Sequence, residues 1–242
     1  MAQIGFKSNA GVIRDRNEDA CFVIPSCDIY VVADGVGGNN GGEIASRTAV
    51  RGVAEYVDAN PIDDCEDADE ICNYFIRCLE LVNQEIYQAG RKHKENKGMA
   101  TTVVIAYIRG DTAYVVNVGD SRAYLFRNGS LSQITEDHTY VNELLKSGVI
   151  TIEEAENHSQ KNVITRAVGA EPSVRADFFQ TALEKDDILM LCSDGLYGEV
   201  DEQKLIEILG GRNTMSVTCT HLVDEAIRCG GRDNITVICL KI

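Results

Sequence analysis

This chain has little positive charge for its size. Its 23 basic residues stand against 38 acidic ones, for a formal charge of −15. Affinity for a phosphate backbone needs basic side chains gathered together, which argues against nucleic acid as a partner. No run of eighteen apolar residues occurs, and the opening MAQIGFKSNAGVIRD lacks the apolar core of a signal peptide. The expected setting is therefore cytoplasmic, with no membrane partner. Nine cysteines occur without a single CxxC, and Cys192 and Cys239 lie inside apolar runs as small hydrophobes do, so they read as reduced thiols. Repeats and low-complexity segments are also missing. What is present is a 44% hydrophobic content over 242 residues, enough to fill a core.

The apolar pattern gives the order of elements. After a short opening strand, ACFVIPS and DIYVVAD are rich in β-branched residues and read as paired strands ending at the glycine-rich DGVGGNNGG. Ala45, Ala49, Val53 and Tyr56 recur at helical spacing over 43–57, and Ile71, Phe75, Leu79, Val82 and Ile86 do so over 69–90. The acidic PIDDCEDADE between them reads as a solvated turn into the second helix. TTVVIAYIRG, DTAYVVNVG and SRAYLFRNGSLSQIT predict consecutive hairpins in one antiparallel sheet, with Asn128-Gly129 as a turn. A polar excursion follows, with short helical segments YVNELLKSG and TIEEAENH, and reads as an inserted flap at about 139–169 of a single domain, 1–242. Strands return at ADFFQTALE and DDILMLCSDG, helices at 201–209 and 216–228, and NITVICLKI closes the chain as a strand. Helices in pairs between groups of strands predict an α+β fold, two antiparallel sheets flanked by helix pairs, rather than a doubly wound parallel sheet.

Acidic residues far apart in the chain repeat one arrangement, at the end of an apolar run beside turn residues: Asp19 in RNEDA, Asp34 in VVADGVGG, Asp194 in LMLCSDGLYG and Asp233 in GGRDNITVI. Burying such carboxylates is costly without a compensating cation, and hard oxygen ligands suit Mg²⁺ or Mn²⁺ rather than zinc or copper. Asp34 suits a bridging ligand, with Gly35 free to turn its carbonyl inward, although Asp34-Gly35 taken alone also fits an ordinary Asp-Gly turn. Asp194 also fits a helix N-cap or turn former, and Asp233-Asn234 an Asx turn; Asn234 alternatively orients a ligating carboxylate from behind. Arg14, five residues before Asp19 and close to Glu18, has a planar fork suited to phosphate oxygens, though the same acids could be its ion-pair partners.

RDRNEDA, VVADGVGG, GMATTVVIA, VVNVGDSRAYL, ITEDHT, ITRAVG, LMLCSDG and RDNITVI follow one another in this order over nearly the whole chain. Together they resemble the metal-dependent protein phosphatase family, protein phosphatase 2C, in its bacterial Ser/Thr form. The resemblance implies a four-layer αββα sandwich and hydrolysis of phosphoserine and phosphothreonine by water or hydroxide bridging two Mn²⁺ or Mg²⁺ ions. It implies that Asp34 bridges the ions, the Gly35 carbonyl holds one, and Asp194 and Asp233 hold the other. Glu18 and Asp19 would act largely through waters, and Arg14 would bind the substrate phosphate. Asp120, in GDSR, matches a position that helps hold a weaker third metal together with Asp194, although a hairpin turn explains it equally. The implied partners are phosphorylated proteins, among them a Ser/Thr kinase and its targets, met by a monomer.

The chain departs from the family pattern at several positions. Val36 stands where many animal relatives have a histidine proposed as the leaving-group acid, Asn39 where bacterial members often have histidine, and Ala100 where MGTT would have glycine. His138 is expected to serve the structure or the flap's hinge rather than to replace that acid. Asn39 and Ala100 favour a second reading, a catalytically silent phosphoprotein-binding or metal-sensing module, which the intact acids and Arg14 oppose. The CxxxxxR loop of cysteine phosphatases is absent, so Cys192 reads as core; an aspartyl-phosphate mechanism would want DxD, but position 36 is Val.

Overall fold

The computed structural model describes all residues except 1, 2, 38–40 and 93, so Asn39 lies outside the described residues. The elements run β1 (Gln3–Asn9), β2 (Asp19–Ile24), β3 (Ile29–Val36), α1 (Gly41–Ala59), α2 (Ala68–Lys92), β4 (Ala100–Thr101), β5 (Val103–Arg109), β6 (Thr112–Val118), β7 (Arg122–Arg127) and β8 (Ser130–Gln133). They continue with α3 (Tyr140–Lys146), α4 (Ile152–Glu156), β9 (Asp177–Ala182), β10 (Ile188–Cys192), α5 (Asp194–Tyr197), α6 (Glu202–Leu209), α7 (Met215–Cys229) and β11 (Ile235–Lys241).

Two antiparallel sheets form, one ordered β1-β11-β10-β7-β8 and the other β2-β3-β5-β6-β9, with β4 also on β3. Their inner strands β3, β5, β6, β10 and β11 read as nearly unbroken apolar runs because both faces are covered. Successive side chains of a strand point to opposite faces. In β3, Ile29, Val31 and Ala33 therefore pack beneath α1 and α2, whereas Tyr30 and Val32 pack against the other sheet. In β10, Met190 and Cys192 face the layer of α6 and α7, and Leu189 and Leu191 face inward. The result is the expected α+β sandwich of four layers, with one core between the sheets and one under each helical layer. Helix α2 buries the predicted Ile71, Phe75, Leu79, Val82 and Ile86.

One expectation is corrected. β5 to β8 are not successive hairpins of a single sheet: β5 pairs with β6, β7 pairs with β8, and the two pairs lie in different sheets. The Gly119–Ser121 step between β6 and β7 is thus a crossing from one sheet to the other, not the hairpin turn that was the alternative reading of Asp120. Gly119, at φ 104°, makes that crossing, and a Cβ there would lie 2.5 Å from the Thr102 side chain. Asn128-Gly129 does form a turn, with both residues at positive φ as a tight hairpin of this hand requires.

Residues 138–169 hold α3 and α4, the latter opened by a reciprocal Thr151–Glu154 capping box. The segment's two ends are tied to the sandwich. His138 N–H donates to the Gly119 carbonyl (3.0 Å), Val168 and Thr101 exchange two backbone hydrogen bonds (2.8 and 3.0 Å), and Gly169 N–H donates to Asn83 Oδ1 (2.7 Å). Among the described residues no helix is long and apolar enough to cross a membrane.

Candidate active site

The period-two rule that builds the inter-sheet core also builds its polar rim. Continuing the inward-facing positions by one step at the same end of each strand leads from Tyr30 and Val32 to Asp34, from Cys21 to Asp19, and from Val104 to Thr102. It leads likewise from Ala123 to Ser121, from Leu191 to Ser193 and from Ile238 to Thr236. These residues meet. Asp19 stands opposite Asp34 in the β2–β3 register. Ser193 Oγ donates to Asp19 Oδ2 (2.7 Å), Thr102 and Ser121 hydroxyls are 2.6 Å apart, and Asp34 N–H donates to Thr102 Oγ1 (3.0 Å).

Asp194 follows β10 and begins the four-residue turn α5, with Ser193 at the cap position. The N-cap reading of Asp194 is corrected: Ser193 takes the cap position and Asp194 is the first residue of the helical turn. Its charge acts on Asp34, whose carboxyl it helps to raise. Asp120 enters from the sheet crossing and is 6% exposed. Burial raises the Asp34 carboxyl well above its ordinary range, and the charges of Asp19, Asp194, Asp120 and Asp233 raise it further. Burial likewise pushes Asp19 and Asp120 up to about 7 and also raises Asp194 and Glu18. Four desolvated acids that disfavour one another's charge make an electrostatic sink for a cation.

Two further observations test whether a divalent cation fits. Asp19 Oδ1 and Asp194 Oδ1 are buried without any hydrogen-bond partner, the condition that a ligand or water must relieve. Gly42, at the start of α1, provides a second: a Cβ there would lie 2.7 Å from Glu18 Oε2 and 2.7 Å from the Gly35 carbonyl oxygen, so these two oxygens converge over a bare backbone. Among the described residues no three His, Cys, Asp or Glu side chains close into a metal cage on their own. A cation held here would need further oxygen donors, of which the Gly35 carbonyl and water are the kind that hard cations accept.

Arg14 reaches the same rim from the 10–18 loop and pairs with Asp233 (Nη2 to Oδ2, 2.7 Å), its side chain still half exposed. Asn234 braces that loop. Its Nδ2 donates to the Ala10 and Arg16 carbonyls (2.9 and 2.8 Å) and its Oδ1 accepts from Glu18 N–H (2.7 Å). Its contact with Asp233 comes through the backbone, Asn234 N–H donating to Asp233 Oδ1 (2.8 Å), rather than through the amide side chain.

His138 is buried at the base of the 138–169 segment. Its Nδ1 accepts from Gly119 N–H (3.0 Å), which leaves Nε2 to donate to Asp177 (3.1 Å). Val36 pairs across strands with the buried Ala100. All nine cysteines are free, and burial pushes the Cys192 thiol up to about 12. The hydroxyl set Thr102, Ser121, Ser193 and Thr236 was not among the sequence candidates; continuing the strand alternation past each apolar run was the signal for it. Nothing in the sequence pointed to Gly42.

The Protein phosphatase 2C family model matches residues 14–224. A serine/threonine phosphatase, stp, of Listeria monocytogenes serotype 4b is 38% identical over 240 residues, 98% of this chain and 94% of that protein. The solved serine/threonine phosphatase of S. agalactiae superposes with a TM-score of 0.92 at 32% identity, covering 100% of both chains. The catalytic domain of the serine/threonine protein phosphatase PstP, solved with two manganese ions, gives 0.85 at 30% identity over 99% of this chain and 97% of that one.

Proposed function

This chain belongs to the protein phosphatase 2C family and is a protein-serine/threonine phosphatase, and we propose that it hydrolyses phosphoserine and phosphothreonine with two Mn²⁺ or Mg²⁺ ions. In this reading residues 1–242 are one catalytic domain and 139–169 its flap. The observation that carries it is the rim of mutually repelling buried and half-buried carboxylates, two of them with a buried, unpartnered oxygen. The PstP structure with its two manganese ions supports the choice of ion.

Asp34 and the Gly35 carbonyl, with Asp194 and Asp233, would hold the pair, and Glu18 and Asp19 would act through water. Asp120 with Asp194 would hold a weaker third ion. When bound, the ions supply Lewis acidity and a water acidified toward neutral pH as the nucleophile. Arg14 supplies a guanidinium at the mouth of the site, where its fork orients the phosphoryl oxygens and offsets charge as the ester bond breaks. Neither Val36 nor His138 protonates the leaving alkoxide: the first has no proton to give, and the second is committed to Gly119 and Asp177. The substrates are phosphorylated proteins; a Ser/Thr kinase and its targets, encountered in the cytoplasm by a monomer, are the partners this reading implies.

Phosphate release from a phosphothreonine peptide in Mn²⁺ tests this reading, with EDTA and Asp194→Asn as controls. Release should vanish in both. Activity that persists in both overturns it.

A further inference from the structure

Arg122 opens β7 two residues after Asp120 and pairs in register with Cys192, two residues before Asp194. Its guanidinium is held on several sides. Nε and Nη2 donate to the Asp137 carboxylate (2.9 and 2.6 Å), Nη1 donates to the Tyr124 hydroxyl (2.7 Å), and the central carbon lies 3.5 Å from the centre of the Tyr197 ring. Tyr197 closes the helical turn that Asp194 opens, and its hydroxyl donates to the Asp120 carbonyl (2.9 Å). Asp137 lies at the flap's root, next to His138, and also accepts from Gln133 Nε2 (2.9 Å).

Asp120, Arg122, Asp137 and Tyr197 all line a cleft of about 960 Å³ that continues from the site acids Asp194 and Asp233 to the flap's Val141 and Leu145. Well-packed apolar residues commonly stabilise a fold as much as a buried ion pair does, so stability alone does not account for one at this place. What a bidentate, ring-stacked guanidinium adds is direction: it fixes one angle between the groups it joins.

We infer that Arg122 is a positioning residue for protein substrates. It locks the flap's root to the turn carrying Asp194, and so sets the width of the cleft in which the chain flanking a phosphorylated residue lies. This rests on the phosphatase reading above. A small ester reaches Arg14 and the acids without spanning the cleft, whereas a peptide does not, so the two substrates separate cleft geometry from chemistry.

The test compares kcat/KM for a phosphothreonine peptide and for p-nitrophenyl phosphate at fixed Mn²⁺, in the wild type, in Arg122→Lys and in Asp137→Asn, with melting temperatures alongside. The lysine keeps the charge but loses the fork and the stack; the asparagine keeps the shape of the flap's anchor and loses its charge. The peptide-to-ester ratio should fall about tenfold in both variants, chiefly through a raised KM for the peptide. A ratio within about twofold of wild type in both overturns the inference, including the case in which both substrates decline in parallel with the melting temperature. A wild type inactive on both substrates overturns the phosphatase reading itself, and the inference with it.

Discussion

Replacing Asp120 by asparagine should stabilise the metal-free protein, by an amount that grows as pH rises from about 4 to about 7. Asp120 is 6% exposed; burial first, then the charges of Asp194 and Asp137, push its carboxyl up to about 7 from an ordinary 3.8. One pKa unit corresponds to about 1.4 kcal/mol, so the ionised group costs the native state about 4 kcal/mol at pH 8. A raised native pKa favours folding fully only below the unfolded value, and that advantage is lost as pH climbs through 4 toward 7. Asparagine has nearly the same shape and no charge. In EDTA at about pH 8, Asp120→Asn should gain about 2–4 kcal/mol, roughly 10 °C in Tm for a chain this long, with most of the gain gone at about pH 4.5. Saturating Mn²⁺ should shrink or reverse the difference, because a cation offsets the charge that the mutation removes. Urea unfolding at the two pH values, with EDTA and with Mn²⁺, reads all three. A variant less stable than wild type in EDTA at pH 8, or a gain that does not vary with pH, would refute the electrostatic account.

Arg14→Ala should lower kcat/KM by about 100-fold in steady-state assays, and lysine should recover only part of it, since a point charge cannot present two parallel donors. Gly42→Ala drives a methyl to 2.7 Å from the Gly35 carbonyl and Glu18 Oε2; it should cost about 1–3 kcal/mol in chemical denaturation and depress Mn²⁺ binding measured by calorimetry. Burial holds the His138 imidazole below its usual pKa, so its contribution is present above about pH 6.5 and lost as pH falls, when the unfolded chain takes up the proton first. Amide exchange over residues 138–169 should therefore accelerate on acidification through that range, and His138→Asn should remove the pH dependence. Cys192→Ala should keep phosphatase activity while losing about 1–2 kcal/mol of stability by thermal melt, the cost of a small cavity.

The strands, the paired helices and the acids at the ends of apolar runs were all readable one residue at a time, because alternation and helical periodicity are local signals. Helix α2 follows its apolar stripe closely, and Asn128-Gly129 turns as its φ preferences demand. The split of β5–β6 and β7–β8 into two sheets was not readable: a crossing and a hairpin can share the same glycine-rich spelling, and only the partner of each strand tells them apart. The four residues of α5 carry no period, so the sequence offered a helix there only as an alternative reading of Asp194. Arg122 gave no sign either, since an arginine after a turn is ordinarily solvated, and its partners Asp137 and Tyr197 lie 15 and 75 residues away.

Composition and pattern alone thus established an acidic α+β chain with carboxylates waiting at strand ends, because hydrophobic periodicity and the cost of burying charge act on each segment separately. Folding established which carboxylates share a rim, which backbone carbonyl approaches Glu18 across a bare glycine, and which arginine ties Asp137 to the turn that Asp194 opens. Those outcomes depend on distances between segments remote in sequence. They come into being when two sheets stack and the same end of each inward face arrives at one place.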